Sequence, residues 1–295
     1  MRVGGIELGG TKSIAVLADG RDISAKTSIP TGDDPHHTIG ALVDWLETEA
    51  AGSELGAIGI ASFGPVAVNP SAADFGFIRT TTKPGWSGAP VRGPFAERFR
   101  CPVAIDTDVN AAALAEQRWG AAQGLGTIAY ITIGTGLGVG VVVDGHTLHG
   151  HLHPEAGHLL LRRAPGDDFE GACVFHGDCV EGLISGPALA KRFAQLPSEV
   201  PAEDARWNSP ASDFAQLLAT LICAVSPQRI LLGGGVGLGR PQLLDRAIDL
   251  IPGLIAGYLP DLTIDVLRKM IVPAGLGADA GPLGAIAVAL RALDG

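Results

Sequence analysis

The chain has 295 residues, 46% of them hydrophobic and 18% charged, enough apolar material for two cores at about 150 residues per domain and too much for a disordered chain. Its 21 Lys and Arg stand against 31 Asp and Glu, a net charge of −10 with no basic cluster, which argues against a nucleic-acid partner. Four cysteines are too few to staple a chain of this size, and that usage fits a reducing cytoplasm.

In chain order, MRVGGIEL supplies Val3, Ile6 and Leu8 to a first strand, GGTK turns, and SIAVLA returns through Ile14, Val16 and Leu17. Pro35 is placed to start a helix through Leu42, Trp45 and Leu46. AIGIAS, from Ala57, reads as a buried strand ending at the FGP turn, and PVAI as another ending at Asp106. Asp108 is then the expected cap of a helix running to about Gln123, with Asp106 as either the cap instead or a strand-end hydrogen-bonding residue. TIAYITI, GTGLG and VGVVVDG repeat the strand, Gly/Thr turn and strand about 120 residues later. No spanning helix is expected there, because four glycines break the run Thr127–Val143. No signal peptide is expected either, since the basic residue 2 leads into a Gly-rich strand. QRILLGGGV is a strand entering a triple glycine, followed by a helix through Leu243, Leu244, Ala247 and Ile248. A last, buried helix covers about Gly281 to Leu293. The repeated hairpin predicts two related α/β domains facing a cleft.

Glycine is about twice its ordinary share, at 42 residues, so its placement matters. Gly9-Gly10-Thr11-Lys12 is neither a P-loop nor a dinucleotide fingerprint. It is a hairpin turn whose amides, hydroxyl and lysine could wrap an anion. Gly134-Thr135-Gly136 offers the same from the second half, and Gly233-Gly234-Gly235 follows a strand. Tight hairpins need glycine in any case, but the three turns together point to a triphosphate.

His158, Cys173, His176 and Cys179 form H-x14-C-x2-H-x2-C on turn-rich sequence. Close Cys/His spacing with one distant ligand suits a closed, structural Zn²⁺ site. Catalytic zinc fits less well: HPEAGH is not HExxH, and CVFHGDC lacks the second half of a deaminase signature. Cys101 and Cys223 lie in apolar surroundings and read as core residues. Asp108, between a strand end and a helix start, is the best general base, although an N-cap would explain it equally. Glu155 and Glu181 flank the metal cluster and could accept the hydroxyl hydrogens of a polyol.

The motifs GGIELGGTK, SFGPV, TTTKPGW, DTDVNAAALAE, IGTGLGVG, HPEAGH, CVFHGDCVEG and ILLGGGV run through nearly the whole chain. Together they resemble the ROK family of bacterial sugar kinases, in the sugar kinase/actin/Hsp70 superfamily, and its fructokinase branch most closely. The resemblance implies two ribonuclease H-like (actin/hexokinase-type) α/β domains flanking a cleft, with a small zinc-bound loop over 153–182. Residues 1–120, completed by the C-terminal helix at about 281–295, would form one domain, and 121–280 the other. It further implies ATP-dependent phosphorylation of D-fructose to fructose 6-phosphate, with Asp108 as base. Thr107, Glu155, His158, Glu181 and Gly64 would bind the sugar. Gly9, Gly10, Thr11, Lys12, Gly134, Thr135 and Gly136 would hold the phosphates, and Gly233, Gly234 and Gly235 the adenosine side. ATP, Mg²⁺ and structural Zn²⁺ would be the cofactors, His158 serving both zinc and sugar, and the enzyme would be a cytoplasmic homodimer with no nucleic-acid or membrane partner.

Three positions depart from the family pattern: Glu7 for an Asp that helps to hold Mg²⁺, Thr107 for an Asn beside the base, and His176 for a Cys. The fructokinase-like branch shares them, which favours fructose over glucose. A threonine of TTTKPGW replaces a commoner proline, and nothing in the sequence explains it. Mannose, glucose or N-acetylmannosamine remains the alternative substrate. A non-enzymatic sugar sensor would need an added basic helix-turn-helix ahead of the first strand, which here starts at residue 2.

Overall fold

A computed structural model describes residues 1–50 and 53–294. The strands are β1 (Arg2–Leu8), β2 (Lys12–Asp19), β3 (Asp22–Pro30), β4 (Ile58–Ser62), β5 (Val103–Thr107), β6 (Thr127–Ile133), β7 (Leu137–Val143), β8 (His146–Thr147), β9 (Arg229–Gly233) and β10 (Ile271–Pro273). The helices are α1 (Pro35–Ala50), α2 (Arg92–Arg98), α3 (Asp108–Trp119), α4 (Val180–Ile184), α5 (Gly186–Phe193), α6 (Asn208–Val225), α7 (Gly235–Gly239), α8 (Pro241–Ile255), α9 (Ile264–Met270) and α10 (Ala280–Asp294). Among the described residues no helix is long and apolar enough to cross a membrane.

The chain divides into two compact units. The first takes Met1–Gly124, the short segment Gly145–Pro154 and the chain from Leu276 onward; the second takes Leu125–Asp144 and Glu155–Gly275. Unit 1 is built on a mixed sheet of order β3-β2-β1-β4-β5, antiparallel through the β1–β2 hairpin and parallel from β1 to β5. The hairpin is the expected one. β3 was not expected, although its alternation of half-buried Ile23, Ala25, Thr27 and Ile29 with exposed residues carries the period of an edge strand. The sheet's core includes Ile6, Leu8, Leu42, Leu46, Ile58, Ile60 and Phe95.

α10 docks on this sheet through small residues. A Cβ at Gly59 would lie 2.0 Å from the Ala285 carbonyl oxygen, and one at Gly284 would lie 2.7 Å from the carbonyl carbon of Ala111 in α3. Only glycine lets the backbones approach so closely, so the last helix is locked against β4 and against the helix that carries Asp108.

Unit 2 has the sheet order β10-β9-β6-β7, with β6–β7 antiparallel and β9 parallel to both β6 and β10. Its core joins Ile131, Ile133 and Val139 to Trp207, Phe214 and Leu218 of the α6 side. Each unit therefore starts from a hairpin with a Gly/Thr turn, and each buries a separate core.

Candidate active-site residues and metal cluster

In unit 1 the turn Gly9-Gly10-Thr11-Lys12 joins β1 to β2. The Gly9 amide bonds the Lys12 carbonyl (3.1 Å), and the Thr31 hydroxyl braces the Gly9 carbonyl (2.6 Å). Gly10, Thr11 and Lys12 stand exposed. Glu7, on β1 behind this turn, has Oε2 buried without a hydrogen bond from any described residue. Desolvation raises its pKa against the pull of Lys12 and Lys26. An orphaned carboxylate oxygen beside an exposed Gly/Thr turn is a donor suited to a divalent cation.

β5 ends at Thr107 and α3 begins at once with Asp108. The expected cap is corrected here: neither Asp108 nor Asp106 caps the helix, because the Thr107 hydroxyl accepts the Asn110 amide at 3.2 Å. A threonine at this position satisfies an otherwise open helix N–H. The Asp108 carboxyl itself accepts the Val109 amide at 2.9 Å. Desolvation pushes the Asp108 pKa up to about 7; the Val109 bond opposes the rise and the charge of Glu7 adds to it. That is the range in which a carboxylate works as a general base near neutrality. The helix itself stops at Trp119, with Gly120 as its cap, rather than running to Gln123.

Asp106 is occupied differently. Its buried carboxylate receives the Thr107 amide (2.8 Å), Asn110 Nδ2 (2.8 Å), Thr147 Oγ1 (2.7 Å) and His149 Nε2 (3.0 Å). Against desolvation, which raises it, the bonds from His149, Asn110 and Thr147 hold its pKa below the ordinary carboxylate range. It is a fixed structural anion, not a base. Its partners Thr147 and His149 lie 41 and 43 residues away in sequence, and no local pattern marks them.

Gly64 lies in the turn after β4. Phe63 packs edge-on against the buried Trp86 of TTTKPGW (centroids 5.2 Å), whose indole N–H donates to the Gly32 carbonyl at 3.1 Å. His153 Nε2 accepts the Val66 amide at 3.2 Å. The motifs SFGPV, TTTKPGW and HPEAGH thus brace one turn.

In unit 2 the β6–β7 turn holds Gly134, Thr135 and Gly136, closed by the Gly134 amide on the Gly136 carbonyl (2.9 Å). Thr135 is exposed. Glu181, on α4, accepts the Leu137 amide at 3.0 Å just after this turn. One of the carboxylates expected at the sugar therefore also fixes the β6–β7 hairpin. Glu155 is exposed, immediately before the short helical turn Ala156–His158, and its carbonyl accepts the His158 amide (2.9 Å). Gly234 has φ +81°, and a Cβ there would meet the Ile133 carbonyl oxygen at 2.4 Å, so Gly233-Gly234-Gly235 crosses tightly over the end of β6. Beside Gly235 opens a groove of about 420 Å³ with apolar walls from Pro187, Ala190, Leu196 and Val236, and with Arg240 at its edge.

His158, Cys173, His176 and Cys179 converge as their spacing predicts, with all donor atoms within 4.8 Å of one another. His158 Nδ1 lies 3.5 Å from Cys179 Sγ and 3.8 Å from Cys173 Sγ, and His176 Nδ1 lies 3.7 Å from Cys173 Sγ. Tetrahedral Zn²⁺ with bonds of roughly 2.0–2.3 Å needs donor separations of roughly 3.3–3.8 Å, the range in which these three pairs already lie. Without a cation, burial and the nearby Cys173 sulfur push the Cys179 thiol up to about 11. A bound cation would hold Cys179 as the thiolate that a metal ligand must be.

The chain matches the model of the ROK family over residues 3–292. It is 39% identical to a fructokinase of Pediococcus pentosaceus over 294 residues, covering 99% of each chain. It is 41% identical to a fructokinase of Zymomonas mobilis, covering 98% of this chain and 96% of that one. Among solved structures it is similar to the ROK hexokinase of Thermus thermophilus, at 32% identity and TM-score 0.81, with both chains covered completely.

Proposed function

The chain belongs to the ROK family, and on that premise we propose that it is an ATP-dependent fructokinase that makes fructose 6-phosphate and ADP. The observation that carries fructose, rather than hexoses in general, is the near-complete match to two fructokinases. Thr107 and Glu7, departures that favour fructose, both neighbour the proposed base: Thr107 directly precedes it in the chain, and the charge of Glu7 acts on it.

In this reading the Asp108 carboxylate takes the proton of the sugar 6-hydroxyl as that oxygen attacks the γ-phosphorus and ADP leaves. Little covalent help is needed, since positioning and charge neutralisation dominate phosphoryl transfer. The exposed amides of Gly9 to Lys12 and of Gly134 to Gly136 receive phosphate oxygens. Gly233 to Gly235 admit the nucleotide backbone, and the neighbouring apolar groove takes the adenosine. Bound Mg²⁺ supplies charge neutralisation, and Glu7, with its unpartnered oxygen, is the residue that fits it. Gly64, Thr107, Glu155, His158 and Glu181 orient the sugar, and a sugar with mismatched hydroxyls would leave such polar groups unpaired. Zinc on His158, Cys173, His176 and Cys179 fixes the loop that carries the last three of these side chains.

The same reading makes the protein a cytoplasmic homodimer. Leu160, Val174 and Phe175, exposed around the metal cluster, would gain cover from a second subunit.

ADP release with Mg²⁺-ATP, measured on fructose, mannose, glucose and N-acetylmannosamine, tests the assignment. A kcat/KM for fructose at least about tenfold above the rest is the expected result. A preference for another sugar keeps the kinase and removes fructose, and no sugar-dependent ADP removes both. The pH dependence follows from the raised Asp108 pKa. Only the ionised carboxylate accepts a proton, so kcat/KM for fructose should rise with pH and level off above about 7. A profile flat from pH 5.5 to 8.5 would remove Asp108 as the titrating base.

A further inference from the structure

Asp106 is the penultimate residue of β5, two before the proposed base, and is held from two parts of unit 1, the start of α3 and the segment Gly145–Pro154. Its Oδ1 binds the Thr107 amide, the Asn110 side chain and His149 Nε2, and its Oδ2 binds the Thr147 hydroxyl. The carboxylate therefore grips both ends of the first turn of α3, the turn that opens with Asp108. Thr147 has a second partner: Arg291 Nη1 of α10 donates to its oxygen at 3.0 Å. One hydroxyl thus accepts from the guanidinium and donates to the carboxylate, which uses both its capacities.

Thr147 and His149 belong to Gly145–Pro154, a segment that follows β7 of unit 2 in sequence yet packs into unit 1. The same segment ends at His153, which accepts the Val66 amide next to the Gly64 turn. Its inward-facing polar groups thus go to the two turns of unit 1 that carry proposed sugar contacts. Its other histidines, His146 and His151, are exposed.

We propose that Gly145–Pro154 is a positioning strap, in which His149 and Thr147 act through Asp106 to hold the Asp108 turn in register for proton transfer. Neither His149 nor Thr147 touches the reacting atoms. The effect is geometric: the Asp106 carboxylate fixes where the first turn of α3 stands. The Nε2–H of His149 is a charge-assisted donor to a buried anion, and its removal leaves Asp106 short of one partner. The side chain is 30% exposed, so a substitution there changes little of the core.

The role of the strap in turnover rests on the kinase reading, while its role in ordering the turn does not. The test therefore has two readouts. His149→Ala should lower kcat for fructose phosphorylation about tenfold and leave KM for ATP within about twofold. It should also speed amide exchange over Thr107–Asn110 in the substrate-free protein. His149→Gln, which restores an N–H donor at similar reach, should recover most of both. An Ala variant with wild-type kcat would overturn the proposal, as would exchange unchanged across Thr107–Asn110 or a Gln variant as defective as Ala. If the unsubstituted protein shows no sugar-dependent ADP release, the kinase reading fails by itself, and the exchange comparison alone decides whether the strap orders the turn. If His149→Ala does not fold, Thr147→Val removes the linking hydroxyl at nearly constant volume and carries the same expectations.

Discussion

Asp108→Asn is expected to lose turnover by about 10²–10⁴-fold while folding as well as the unsubstituted chain, the range spanned by loss of a positioned general base. Asparagine keeps the size of the side chain and an oxygen able to accept the Val109 amide, so fructose and ATP should still bind. Stability gives a second, independent check. The folded pKa of about 7 lies above the roughly 3.9 of an unfolded aspartate. Between those values the native state holds more protons than the unfolded one, so this group makes stability fall as pH rises from about 4 to about 7. Asparagine removes the buried charge, and the variant should melt at or above the wild-type temperature at pH 8. An inactive variant that melts far below wild type would show a folding defect and leave the base unproved. A variant with wild-type kcat would remove Asp108 from the chemistry.

Cys179→Ser is expected to have the next largest effect, first on metal content and then on both substrates. Cys179 is the most buried donor of the cluster, and serine is a poor substitute for a thiolate toward zinc. Zinc by atomic spectroscopy should fall from one ion per chain to a small fraction of that. The structure adds that the loss should not stop at the sugar. The Leu159 carbonyl accepts the Val180 amide at 3.0 Å, and a Cβ at Gly157 would meet the Leu137 carbonyl oxygen at 2.2 Å. Glu181, two residues past Cys179, holds the Leu137 amide. The metal loop is therefore packed onto the hairpin that bears Gly134 to Gly136. KM should rise severalfold for ATP as well as for fructose, and a variant defective in fructose alone would confine the metal to the sugar side. Full zinc occupancy in Cys179→Ser would exclude Cys179 as a ligand.

Much of this site was legible in the sequence because its signals are local. A Gly/Thr turn between two apolar runs identifies a hairpin, since few residues other than glycine serve a tight turn with exposed amides. The spacing H-x14-C-x2-H-x2-C foretold a four-donor cluster because three of the four donors lie within seven residues of chain. Asp108 drew attention for the same kind of reason, as an acid between a strand end and a helix start. Where local signals competed, sequence chose less well. Asp106, Thr107 and Asp108 are all good caps by type, and it is the path of β5 into α3 that gives the cap to the middle one.

The tertiary structure decided what depends on partners distant in the chain. Asp106 and Asp108 are the same residue type two positions apart. One is held below the ordinary carboxylate range by Thr147, His149 and Asn110, and the other is raised to about 7 by desolvation beside Glu7. Composition and spacing cannot separate them, because a pKa is set by surroundings that only folding assembles. Glu181 is likewise an acid in a metal-binding motif until the fold places Leu137 against it. Local sequence dictates which segments turn, which adjacent strands form hairpins and where three of the four metal donors cluster, since each of these is governed by neighbours within a few residues. Which carboxylate is free to accept a proton, and which is held as a fixed anion, was decided only when the Gly145–Pro154 segment and the last helix closed around the end of β5.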